Sequence, residues 1–381
     1  MSALATALVK SGFAVSGSDR NLDSPNVRFL RSLGVHVYPD DGSGISGDTD
    51  EVIVSTAIEP ANADLVAARE KGIKVVHRAA ALARLLSPYK LVAVAGTCGK
   101  STVTAMLGHI LAECGFDPMC VNGANVPGWE GAVRFGRGEY AVAEVDESDK
   151  SLVAFKPYAA VITNASADHY SEAEMNEVFD SFISGLPGPC VDARGEIYRP
   201  QDFNSQNASL AVRMAKALGC SEEDAVAAMK SFAGVERRLQ RHGGRVYDDY
   251  AHNPEKLRSM WLALAERHPE GICVVWRPHG YGPLRKMLDD LADMFNEVVR
   301  GCDRLLLLPV YDAGGTADRS INSDALAAKV PRSAVVSGLD EAYLECTRRA
   351  GDFGAFVTAG ARDPGLPVLA RRLAAFMTEA G

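Results

Sequence analysis

No apolar run in this chain approaches the length of a membrane-crossing helix, so insertion in a bilayer is not expected. Its eight cysteines include no C-x-x-C pair and no zinc-like spacing to histidine. That argues against a metal ribbon or a dithiol enzyme, and for small buried hydrophobes in a reducing compartment. Basic excess is lacking too: 40 Lys and Arg stand against 49 Asp and Glu, a net charge of -9. A nucleic-acid surface needs a basic face, so no nucleic acid is expected as partner. The start of the chain has no basic segment leading into an apolar one, which makes a cytoplasmic protein the expectation.

One further absence is local. "LVAVAGTCGKSTVTAM" (Leu91–Met106) has the rhythm of strand, turn and helix. A strict P-loop has a glycine five residues before the glycine of its GK pair, and here that position is Val94. What remains is Gly96, Thr97 and Gly99, then Lys100, Ser101 and Thr102 at a helix start. Backbone N–H groups and the helix dipole there favour an anion. In this pattern Lys100 reaches phosphate oxygens and Ser101 offers its oxygen to Mg²⁺.

At 381 residues the chain exceeds one ordinary core. Short apolar strands alternate with amphipathic helices, which implies parallel sheets in an α/β protein. Strands are expected over Glu51–Ile58 and Ile73–Ala80, with a helix over Asn62–Lys71 between them. A doubly wound domain begins with a strand and a glycine-rich turn, whereas this sequence opens on a helix; either a strand and such a turn precede Met1, or that half of the sheet is reduced. Ser87-Pro88 reads as a linker, and a further α/β unit begins near Val235 with strands in "RVYDDYA", "GICVVWRP", "RLLLLPV", "SAVVSG" and "AFVTAG". One helix is expected over Leu284–Val298, and Ser221 with Asp224 reads as a capping box.

Three more clusters end predicted strands. "YAVAEVDESDK" runs into Glu144, Asp146, Glu147 and Asp149, and "YAAVITNASADHYS" leads to Asp168 and His169. Carboxylates at the C-terminal end of a strand in an α/β sheet face the ligand crevice and can hold Mg²⁺. "VERRLQRHGGRVYDDYAHNPEKL" brings Arg237, Arg238, Asp248, Asp249 and His252 to a helix opened by Asn253-Pro254.

Taken in order, "AGTCGKST", "AEVDESD", "ITNASADH", "FNSQNA", "GVERRLQ" and "DDYAHNP" resemble the motifs of the Mur ligase family. These are ATP-dependent enzymes that join amino acids to the UDP-muramyl precursor of peptidoglycan. The family's loop reads A-G-T-x-G-K-[ST], so Val94 fits the resemblance. The resemblance implies an α/β protein of three domains: a Rossmann-like N-terminal UDP-substrate domain (1–88), a P-loop-type central ATPase (89–233) and a Rossmann-like C-terminal domain (234–381). It implies an ATP-dependent acid–amino-acid ligase working through an acyl phosphate, with ATP and Mg²⁺ as cofactors. Its partners would be a UDP-sugar-type carboxylate and an amino acid or peptide amine.

Residue by residue, the resemblance implies that Gly96, Thr97, Gly99, Lys100, Ser101 and Thr102 bind the phosphates, and Ser101, Glu144 and His169 hold Mg²⁺. Asn204 and Asn207 match asparagines at the adenine. Arg238 matches an arginine facing the phosphates, Asp249 an aspartate near the ribose, and His252 a histidine of the closed site. Lys100, His169, Arg238 and His252 are the catalytic candidates.

The chain also departs from the pattern. The segment 170–202 is shorter than in the ligases, and the family's "PHRYxR" reads His279-Gly280-Tyr281-Gly282-Pro283. Arginines that serve the substrate side are thereby replaced by Gly280 and Pro283, and the nearest others are Arg277 and Arg285. The ATP side is kept while the acceptor side drifts. Two alternatives follow: a Mur-like ligase with another substrate, or a ligase-derived protein that binds nucleotide or UDP-sugar without ligation.

Overall fold

The computed structural model describes residues 1–146, 151–165, 172–197, 199, 202–312 and 318–379. The chain forms two compact units, Met1–Ile197 with Asn204–Val235, and Tyr198–Phe203 with Glu236–Gly381.

The first unit opens with α1 (Ser2–Lys10), β1 (Ser16–Ser18), α2 (Pro25–Ser32), β2 (His36–Tyr38), β3 (Glu51–Val54), α3 (Ala63–Glu70), β4 (Lys74–His77) and α4 (Arg78–Leu86). β1 pairs with β2 and β3 with β4, both parallel; among the described residues they form two separate two-stranded sheets. Asn62 caps α3 as its sequence suggests, accepting from Asp64 N and Leu65 N. The strand expected to run to Ala80 stops at His77 instead. There the imidazole accepts from Ala79 N and opens α4, whose alanines and leucines favour helix. Gly42–Gly47 has the GxGxxG spacing of a dinucleotide fingerprint, but it lies in the loop between β2 and β3 and opens no helix.

Then follow β5 (Lys90–Ala95), α5 (Lys100–Glu113), β6 (Met119–Val121), β7 (Val133–Arg134), β8 (Tyr140–Glu144), β9 (Ala159–Ile162), α6 (Glu172–Ile183), β10 (Cys190–Asp192), α7 (Phe203–Ala217) and α8 (Glu222–Met229). Among the described residues the strand order is β10-β9-β5-β8-β6-β7, parallel except for β7. β5, β8 and β9 are apolar on both faces because helices cover both sides. Val92 and Val94 pack on one side with Val103, Leu107 and Ile110 of α5. Fully burying one such side chain stabilises by about 1.5–3 kcal/mol. Ser221 caps α8, accepting from Asp224 N at 3.0 Å.

The second unit holds β11 (Gln240–Gly243), β12 (Val246–Asp249), α9 (Pro254–Arg267), β13 (Ile272–Trp276), α10 (Tyr281–Lys286), α11 (Leu288–Val298), β14 (Arg304–Leu307), α12 (Ser323–Ala327), β15 (Ser333–Val335), α13 (Leu339–Arg348), β16 (Ala355–Ala359) and α14 (Gly365–Glu379). Its described strands run β11-β12-β16-β13-β14-β15, parallel from β12 onward. Trp261, Trp276 and Phe295 fill its core. The single helix expected over 284–298 is two, broken at Met287, whose φ of -106° and ψ of 13° lie outside the helical region. No helix among the described residues is long and apolar enough to cross a membrane. Of the cysteines, Cys120, Cys220, Cys273 and Cys346 are buried, while Cys190 and Cys302 are exposed, against the expectation for those two.

Candidate active site

The turn between β5 and α5 is fastened to the end of β9. Thr97 N donates to Asn164 O (3.2 Å) and Cys98 N to Asn164 Oδ1 (2.9 Å). In return Thr163 Oγ1 and Asn164 Nδ2 donate to Cys98 O at 2.6 and 3.1 Å. Gly96 has φ +121°, and a Cβ there would overlap Thr163 Oγ1. Gly99, at φ +87°, is the N-cap of α5 and lies against Asn207 Oδ1 in the space a Cβ would need. Gly96 is therefore demanded by backbone and neighbours together, and Gly99 by its positive φ. Thr163 and Asn164 were not singled out from sequence; a Thr-Asn pair ending the strand next to a phosphate-type turn was the available signal.

Lys100 Nζ donates to Gly96 O at 2.6 Å and so lies along the turn. Glu144 leaves β8 beside Val94, the register that carries its carboxylate to the loop. Glu144 Oε2 accepts from Ser101 Oγ (2.7 Å) and from Gly123 N (2.9 Å). The structure thus gathers Gly96, Thr97, Gly99, Lys100, Ser101, Glu144 and Asn207. Thr102 is buried one residue further along α5, and Asn204 lies one turn before Asn207 on α7. His169 lies outside the described residues, as do Asp168, Glu147 and Asp149. Among the described residues no three His, Cys, Asp or Glu side chains cluster as a metal cage. The hydroxyl–carboxylate pair fits Mg²⁺, which takes few protein oxygens and keeps waters and substrate phosphates.

In the second unit, β16 lies between β12 and β13, and the loops leaving the three strands start together. Gly360 N donates to Asp249 O (3.1 Å) and Arg277 N to Ala359 O (3.0 Å). Before β12, Arg237 and Leu239 adopt left-handed backbone at φ 58° and 45°, which non-glycine residues rarely do. Two buried carboxylates hold them. Asp248 accepts from Arg237 Nε (2.9 Å) and Thr358 Oγ1 (2.6 Å), and Asp249 accepts from Leu239 N and Ala251 N, both at 2.7 Å. Burial pushes the Asp249 carboxyl up to about 6, opposed by Arg238 and the two N–H donors. Arg238 lies over the Tyr250 ring, 5.2 Å from its centroid.

His252 Nδ1 is 2.9 Å from Tyr250 O. A carbonyl only accepts, so Nδ1 carries the hydrogen and Nε2 keeps its lone pair. Burial, then the charge of Lys256, lowers its pKa from 6.5 to about 4, so the imidazole is neutral at physiological pH. The His279 ring meets it edge-on with centroids 4.9 Å apart, and its pKa is also lowered by burial, Arg362 and Lys256. Arg277 is taken up by the buried Asp363 and by Pro309 O (2.9 Å). Arg285 pairs with Asp318 and donates to Ser320 Oγ, both at 2.9 Å.

The known proteins to which this chain is similar include ligases. Residues 1–90 match the Mur ligase family catalytic domain, 94–181 the Mur ligase middle domain and 236–362 the Mur ligase glutamate ligase domain. A UDP-N-acetylmuramate–L-alanine ligase of Synechococcus sp. (strain JA-2-3B'a(2-13)) is 33% identical over 94% of this chain and 87% of its own. The chain belongs to the Mur ligase family. The ligase of that name from Rubrobacter xylanophilus is 34% identical over 82% of each chain. In fold, the chain is similar to the UDP-N-acetylmuramate-alanine ligase MurC of Thermotoga maritima, with a TM-score of 0.80, 23% identity and 100% and 97% coverage of the two chains. A murein peptide ligase of Psychrobacter arcticus follows at TM-score 0.66, 18% identity and 99% and 96% coverage. This Mur ligase thus has the family's three-domain α/β fold and is an ATP-dependent acid–amino-acid ligase of the Mur type.

Proposed function

We propose that the protein joins L-alanine to UDP-N-acetylmuramate at the expense of ATP, as a cytoplasmic step of peptidoglycan synthesis. The pairing of Ser101 with Glu144 beneath a left-handed Gly99 at the start of α5 is the observation that carries this reading. In it the domain boundaries fall at 88/89 and 233/234, Gly96, Thr97, Gly99 and Thr102 line the phosphates, and Asn204 and Asn207 face the adenine. Ser101 and Glu144 hold Mg²⁺, together with His169. Bound there, Mg²⁺ neutralises charge on the triphosphate.

The chemistry follows from charge. A carboxylate is a poor acyl donor, so its oxygen attacks the γ-phosphoryl group of ATP and ADP leaves. The amine then attacks the acyl phosphate carbonyl, and phosphate departs as the amide forms. Lys100 leaves Gly96 O for the phosphates, which lessens repulsion between carboxylate and triphosphate. Arg238, aimed by the strained loop that Asp248 and Asp249 hold, faces the transferring phosphoryl group, with Asp249 on the ribose side. His252 offers Nε2 as an acceptor for a proton of the incoming amine.

Phosphate release that requires both UDP-N-acetylmuramate and L-alanine is the expected result. ATP hydrolysis indifferent to both would rule the reading out. Gly280 and Pro283 favour a second reading, in which the carboxylate or amine differs; turnover with an alternative amine but not L-alanine would select it.

A further inference from the structure

The crevice at the C-terminal ends of β12, β16 and β13 holds a surplus of positive charge. Arg362 follows β16 directly, is exposed, and enters no hydrogen bond or ion pair among the described residues. Lys256, on the first turn of α9, likewise uses only its backbone N–H, which donates to Asn253 Oδ1 (3.0 Å). Both act on His279, and Lys256 also on His252. Their acidic neighbours are spent: Asp363 on Arg277 and on Gly365 N, Asp249 on Leu239 N and Ala251 N. Uncompensated cations in a chain of net charge -9 point to an anionic ligand.

The neutral imidazoles between them define it further. A phosphate would be met by donors alone. Here, next to the cations, His252 presents an acceptor, Nε2, because Nδ1 is committed to Tyr250 O. Cations beside an acceptor complement a zwitterion, with the carboxylate on the cations and the ammonium on the imidazole. An α-amino acid or a peptide beginning with one has that pattern.

We propose that Arg362, assisted by Lys256, grips the carboxylate of the incoming amino acid or peptide, where Gly280 and Pro283 offer no charge and Arg277 is committed to the buried Asp363. The assignment rests on the ligase reading for the identity of the amine. It makes Arg362 a specificity-determining residue, since an Arg fork matches a carboxylate in two parallel bonds.

The test compares L-alanine with L-alaninamide, which lacks the carboxylate, in the full-length enzyme and its Arg362→Ala, Arg362→Lys and Lys256→Met variants. Arg362→Ala should raise KM for L-alanine about 10- to 100-fold and leave KM for ATP unchanged. The preference for L-alanine over the amide should fall by the same factor, with Arg362→Lys in between and Lys256→Met losing less. A parent enzyme that ligates, with a variant whose preference is intact, overturns the proposal and leaves the ligase reading standing. The second arm follows the imidazole NMR signals of His279 as L-alanine or its amide is added without ATP. If the parent does not ligate, yet L-alanine alone shifts those signals and does so only with Arg362 present, the grip stands and the ligase reading falls. Neither ligation nor a carboxylate-dependent shift sinks both.

Discussion

The two regions proposed to face anions are built on opposite plans. In the first unit the cup is backbone: two glycines at positive φ, a helix start, and a Thr-Asn pair that ties the turn to the next strand. In the second, the side chains of Lys256 on α9 and of Arg362 after β16 carry the charge, while buried carboxylates shape the backbone beside them. A backbone cup tolerates few residue types and leaves a contiguous motif. A side-chain cup can move its arginine to another loop and keep its charge. On the proposed reading, that contrast accounts for a kept phosphate-type motif beside a His279–Pro283 stretch that departs from the resembled pattern.

Breaking the first plan should cost most. Lys100→Ala is expected to lower kcat for ATP-dependent phosphate release by about 10²- to 10³-fold; a variant turning over at the parental rate would remove Lys100 from the site. In the second unit, the lowered pKa of His252 predicts an acid-sensitive fold. The unfolded chain binds this proton from about pH 6.5 downward and the folded one only near 4, so stability drops as pH falls between them, by up to about 3 kcal/mol. His252→Asn, which keeps a donor for Tyr250 O, should flatten that loss in urea titrations at pH 7 and pH 4.5. Asp249 acts in the other sense, since its raised pKa lowers stability as pH rises from about 4 to 6, so the variant must be read against its parent.

Arg277→Ala strands the buried Asp363 and should cost about 2–3 kcal/mol of stability without touching the preference for L-alanine over its amide. If it abolished that preference instead, Arg277 rather than Arg362 would be the substrate arginine. Glu144→Ala should weaken the apparent affinity for Mg²⁺ about tenfold, seen as a shifted Mg²⁺ dependence of turnover. The smallest change belongs to Arg285→Ala, which breaks an exposed pair and should leave both the urea midpoint and amine selection essentially unchanged.

How much of this could be read in advance follows the same division. Lys100, Ser101 and Glu144 were legible because strand, turn and helix put them in fixed relation, and the register of β5 against β8 completes it. The caps at Asn62 and Ser221 were legible for the same local reason. Arg362 was not, because its meaning depends on β16 inserting between β12 and β13, a pairing over more than a hundred residues of sequence. Nor did spacing reveal that Arg277 already belongs to Asp363. Short β2 and the break at Met287 escaped because three residues carry little periodicity, and one kinked residue leaves none.

The carboxamide of Asn207 standing where Gly99 would carry a methyl group ties two distant stretches of the gene together. A larger residue at 99 would have to displace that carboxamide, and it would do so against an unfavourable φ. A relative with a larger residue at 99 should therefore carry a smaller one at 207.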